Sequence, residues 1–148
     1  MGRIVYCPLA SLTVTAAADQ DIWELVAGAN NKLKLLGWEV NSDATASEAL
    51  ELRIVRGTAS GSGGGTGIEV LSDVDDGAIT AAVETLNTTP GTDGDIIQHF
   101  GWEQIGPLGM VYTPEMQIVV GEGTWLKLNL ITQPTAFECN GWICWEEI

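Results

Sequence analysis

The chain has 148 residues, 45% of them apolar, enough for one domain with a full core and too few for two. Six basic residues against 20 acidic ones give a net charge of −14, which argues against nucleic acid and anionic membranes as partners, because both need clustered Lys and Arg. Charged residues make up only 18%, below the roughly 25% of ordinary soluble domains, so part of the surface is uncharged and open to a covering partner.

In chain order, the opening MGRIVYCPLASLTV holds one basic residue, and Pro8 interrupts its apolar run, so it is not read as a secretory leader. Residues 1–18 read as an N-terminal arm or a first strand, with apolar segments at 4–6 and 12–17. Further strand-like segments follow at 22–27, 32–41 and 49–56, the last with a clean alternation through Leu50, Leu52 and Ile54. Two stretches compete as helical turns. Asp19 resembles an N-cap before Ile22, Leu25 and Val26, and residues 47–52 open Ser-Glu-Ala-Leu; both are too short to change the class.

Residues 58–67 (TASGSGGGTG) read as a flexible Gly/Ser-rich surface loop within the domain. No Lys follows the glycines and a strand comes next, so this is not a phosphate-binding loop. Segments at 68–71, 78–86, 95–104, 110–112, 117–120, 125–131 and 137–147 complete the series. Turn formers punctuate it, among them Gly28-Ala29-Asn30-Asn31, Asn41-Ser42-Asp43, Asp75-Asp76-Gly77, Thr89-Pro90-Gly91, Thr113-Pro114 and Gly121-Glu122-Gly123. Many short strands separated by such turns predict an all-β, antiparallel sandwich or barrel of about 8–10 strands with little helix. No segment approaches the roughly 20 apolar residues of a membrane-spanning helix.

Chemical sites are sparse. His99 is the single histidine and no CxxC occurs, so no metal set is expected. Asp73-x-Asp75-Asp76-Gly77 resembles a calcium loop but lacks its bidentate Glu and reads as a solvated acidic turn. Three cysteines, Cys7, Cys139 and Cys144, are an odd number and read as free thiols in a reducing cytosol; Cys139 and Cys144 would need a bulge to meet. No catalytic, cofactor-binding or metal-ligating residue is assigned, and the chain is expected not to be an enzyme.

The six tryptophans say more. Trp23, Trp38 and Trp102 read as core. Trp142 and Trp145 fall on opposite faces of the last strand, and Ile118, Val119 and Val120 stand in a row. A strand apolar on both faces needs cover on its second side, most simply another copy of the chain around a closed axis. Ile118, Val120, Trp142 and Trp145 are the expected interface residues.

The run Ile22-Trp23-Glu24-Leu25-Val26-Ala27-Gly28-Ala29-Asn30, then Lys32-Leu33-Lys34-Leu35-Leu36-Gly37-Trp38-Glu39-Val40, resembles the start of jelly-roll head proteins of tailed phages. Leu52-Arg53-Ile54-Val55-Arg56-Gly57, the Ser/Gly loop, Asn87-Thr88-Thr89, Gly101-Trp102 and the ending Trp145-Glu146-Glu147-Ile148 fit the same pattern. The resemblance covers residues 19–148 as a single jelly-roll domain. It implies a TNF-like jelly roll that forms a homotrimer, needs no cofactor, and acts as a decoration (cement) protein clamping neighbouring major capsid proteins. The protein would be made in the host cytoplasm and end on the outer capsid surface of the virion. An arm at Ile4, Val5 and Tyr6 would then reach the capsid. A carbohydrate- or receptor-binding jelly roll is the alternative, with Trp125 or Tyr112 on exposed loops. A cupin-like enzyme is discouraged by the single histidine, and a major capsid protein by the lack of a long spine helix.

Overall fold

Period-two alternation becomes strand along most of the chain. The computed structural model describes residues 2–15, 19–73 and 77–148. The strands are β1 (Arg3–Val14), β2 (Gln20–Val26), β3 (Leu33–Ser42), β4 (Ala49–Ala59), β5 (Gly65–Thr66), β6 (Val70–Leu71), β7 (Ala82–Asn87), β8 (Thr92–Glu103), β9 (Leu108–Val111), β10 (Ile118–Val120), β11 (Trp125–Leu130) and β12 (Phe137–Glu147). The first sheet runs β10-β3-β12-β1-β6, with β9 on the same edge of β3 as β10; the second runs β5-β7-β2-β11-β4-β8. All pairings are antiparallel.

Long strands alternate between the sheets. β1 and β3 lie in the first, β2 and β4 in the second, and the chain returns through β11 in the second to β12 in the first. The return strands nest between the outgoing ones: β12 sits between β1 and β3, and β11 between β2 and β4. That is jelly-roll connectivity, two Greek keys wound together. The strand number exceeds the expected 8–10 because the β4–β8 connection contributes β5, β6 and β7.

No helix occurs among the described residues. The stretch around 19–27 is β2, paired on both sides, and the Ser-Glu-Ala-Leu stretch leads into β4. Cross-strand partners outweigh a local helical preference worth less than one stable turn. Of the two readings of the N-terminal segment, the first strand is the one observed: residues 3–14 form a full strand between β12 and β6, so the jelly roll includes them and the capsid-reaching arm does not form there.

Inward side chains of the two sheets make one core. Val5, Cys7, Leu35, Trp38, Val40, Cys139, Ile143 and Trp145 meet Trp23, Leu25, Leu52, Ile54, Leu126, Leu128 and Leu130. Trp38 packs edge-to-face on Trp23 at 6.2 Å and on Phe100 at 5.4 Å, and Trp102 packs on Phe137 at 5.8 Å. The core positions expected for Trp23, Trp38 and Trp102 are observed.

The Gly/Ser stretch 58–67 lies on the surface as expected, but its backbone is engaged. From β4 the chain crosses the outer face of β11 and β2 to pair as β5 with β7, and returns through 88–91 to β8. The two crossings are tied together: Ser62 N–H donates to Thr89 O at 2.9 Å, and Thr88 N–H to Ser62 O at 3.2 Å. Two glycines permit the close approach. A Cβ at Gly57 would strike the Trp125 ring and the Thr92 carbonyl; one at Gly91 would strike the Ala59 carbonyl.

Candidate functional site

The reactive side chains are scattered. Exposed His99 has Glu51 at ion-pair range, 3.9 Å, and among the described residues no hydroxyl or thiol is seen hydrogen-bonded to it. All three cysteines are free and buried. Burial pushes the Cys7 thiol up to about 11 and the Cys139 thiol up to about 12, so both are poor nucleophiles. Cys139 faces the core, whereas Cys144 lines the outer face beside Tyr6 and Trp142. Among the described residues no three His, Cys, Asp or Glu side chains gather as metal ligands. Asp75 and Asp76 of the acidic turn lie outside the described residues.

The expected interface residues divide by face. Trp145 and Val120 are fully buried and Ile118 is 7% exposed, all three within the protomer's own core. They cannot meet a neighbouring protomer, and the assignment is corrected for them. Alternation explains it: along β10 the outward residue is Val119, at 43% exposure, between two inward ones. Trp142 does face outward. Val5 of the supposed capsid arm is likewise core, while Ile4 and Tyr6 face outward.

The outward residues gather into one patch. Cross-strand register sets Val70, Tyr6, Cys144, Gly37 and Val111 in a row across β6, β1, β12, β3 and β9. A bulge between Cys144 and Trp145 leaves Leu36 without a partner in the β12–β3 ladder, and Leu36 joins the patch. The Trp142 ring lies over Gly37, where a Cβ would come within 3.1 Å of it. Tyr6, Leu36, Gly37, Val111, Trp142 and Cys144, with Ile4, line a shallow apolar depression of about 220 Å³. Val111 is 76% exposed and Tyr6 46%. The Lys34–Glu146 pair, 3.4 Å apart, stands at its rim. Sequence alone signalled Trp142 and Tyr6; Leu36, Val111 and Cys144 were missed because only the register brings them together.

The outer face of the second sheet is different in kind. Outward residues of β7, β2, β11 and β4 align as Glu84–Glu24–Lys127–Val55 and as Asn87–Asp21–Asn129–Arg53. The crossing ribbon covers them, so Asp21, Glu24 and Lys127 are wholly buried. Lys127 Nζ lies 3.3 Å from Asp21 Oδ1 and 2.7 Å from Asp93 Oδ1. Asn129 Nδ2 donates to Asp21 Oδ1 at 2.7 Å, and Arg53 bridges Asn129 Oδ1 at 2.8 Å and Asp93 at 3.2 Å. Gly61 N–H, in the ribbon, donates to both Glu24 carboxylate oxygens at 3.2 Å. Burial raises the Glu24 carboxyl to about 7, and burial raises Asp21 against the opposing pull of the Lys127 ammonium.

Trp125, buried under the ribbon, and Tyr112, buried with Trp38, are not the exposed stacking platforms a glycan-binding reading requires. No helix is long and apolar enough to cross a membrane among the described residues. No family model, curated protein or solved structure matches the chain.

Proposed function

We propose that this protein is a non-enzymatic structural component that self-associates through the outer face of its first sheet, as a homotrimer that decorates and cements a phage head. The observation that carries the reading is the apolar patch around Trp142. The second sheet is covered by the chain's own ribbon, whereas the first sheet leaves Ile4, Tyr6, Leu36, Val111 and Trp142 facing water. Apolar surface of this kind, rimmed by charge, marks a protein–protein contact. A second and third copy of the same chain are its simplest cover, because closed symmetry buries the same patch on every protomer.

The phage assignment rests on the resemblance in sequence pattern, and jelly-roll connectivity supports it. A rigid double sheet suits clamping, since it transmits load without rearranging. Three identical footprints multiply weak contacts to the major capsid protein through effective concentration. The net charge of −14 keeps the free protein dispersed before docking. Ile4 and Tyr6 serve the contact between protomers in this reading, so the shell contact lies elsewhere.

Cosedimentation with emptied phage heads stripped of their surface proteins tests the proposal. Saturable binding in groups of three, and slower head disruption on heating, are expected. Heads that remain bare at saturating protein contradict it.

A further inference from the structure

The array beneath the ribbon holds an ion pair whose geometry suits bond formation. Lys127 is wholly buried, and its Nζ lies at ion-pair distance from two carboxylates without a well-angled hydrogen bond to either. Asp21 is also wholly buried, and its Oδ2 has no hydrogen-bond partner. An unpartnered carboxylate oxygen and a poorly bonded ammonium in a dry site are costly as ions. We propose that Lys127 and Asp21 condense to an intramolecular amide bond that staples β11 to β2.

The step balances without any co-reactant. The ammonium proton passes to the Asp21 carboxylate, which leaves a neutral amine and a neutral acid. The Nζ lone pair attacks Asp21 Cγ, and the carbonyl π electrons move onto Oδ1. The tetrahedral centre collapses as the second oxygen leaves with two protons, giving one amide and one water. Asn129 Nδ2, donating to Oδ1 at 2.7 Å, stands where the developing oxyanion needs a donor. Glu24 lies across the β2–β11 pair from Lys127 but outside ion-pair range of Nζ, so the amine proton passes to the leaving oxygen within the Lys127–Asp21 pair itself.

Asp93 is the competing acyl partner, and the structure disfavours it. Its side chain is 36% exposed and also held by Arg53 at 3.2 Å, so it remains a solvated counter-ion. Asp21 is dry and fixed on the strand beside Lys127. Two reacting groups fixed in contact gain an effective concentration of about 10⁵ M or more, which favours condensation that dilute acid and amine do not undergo. A cleft of about 210 Å³ lined by Asp19, Arg53, Gly91, Asp93, Lys127 and Asn129 adjoins the pair and gives the released water an exit.

Intact-mass measurement on the denatured full chain reads the bond directly. The wild type is expected to be lighter than its sequence by one water, and proteolysis with fragment sequencing yields a branched peptide joining Asp21 to Lys127. Lys127→Arg and Asp21→Ala are expected at full sequence mass, and Asp93→Ala keeps the loss. A wild-type chain at full sequence mass with no branched peptide overturns the bond. A loss that persists in Asp21→Ala overturns the choice of Asp21. The wild-type measurement needs no variant to fold.

Discussion

Trp142 and Trp145 show how three positions along one strand separate the outer face from the core. Trp145 is wholly buried in the protomer core, and truncating it opens a large cavity. Trp145→Ala is expected to cost about 3–5 kcal/mol of folding stability, read by denaturant unfolding. Trp142 lies on the outer face over Gly37, so Trp142→Asp is expected to change protomer stability by less than about 1 kcal/mol while placing three carboxylates on the proposed shared face. It is expected to abolish the proposed association without unfolding, read by circular dichroism alongside sizing. Equal unfolding by both variants would contradict the division. Glu24 gives a second residue-scale outcome, in pH. Its folded value, about 7, lies above the ordinary 4.5, so the native state binds the proton more tightly than the unfolded chain. Its contribution is therefore fully present below about pH 4.5 and is lost as pH rises to about 7. The loss is at most about 3 kcal/mol, and Glu24→Gln is expected to flatten that part of the stability profile between pH 5 and 8.

At the scale of elements, the ribbon over β2 and β11 is the feature least visible in the sequence. TASGSGGGTG reads as flexible by composition, yet Gly57 and Gly91 are small because backbone and the Trp125 ring come close to them. Gly57→Ala is expected to lift the ribbon, cost about 1–3 kcal/mol, and shift Trp125 fluorescence to the red as water enters. An unchanged spectrum with native stability would show the ribbon to be a passive loop. Strand existence was legible from alternation, as in Leu126, Leu128 and Leu130, which all face the core. Which outward residues share a face was not. Leu36 and Val111 come together through a bulge and through β9 pairing with β3, and neither leaves a local signature. The burial of Lys127 and Asn129 was equally hidden. Period-two alternation turns them away from the core, but nothing local announces the lid above them.

For the whole molecule, the sheets have unlike outer faces, one sealed by the chain itself over a polar array and the other apolar and open. Jelly-roll connectivity follows from strands that alternate between sheets, and the sequence could name the class because turn formers separate nearly every strand. It could not name the interface, because Ile118, Val120 and Trp145 are as apolar as the residues that do face outward. The open face is where the account is exposed to test. Light scattering coupled to sizing chromatography, on the wild type and on Trp142→Asp at the same concentration, measures it. The wild type is expected at three times the protomer mass and Trp142→Asp at one. A wild-type protein that elutes as a single protomer across the accessible concentration range, with Trp142 and Val111 in water, would contradict the account.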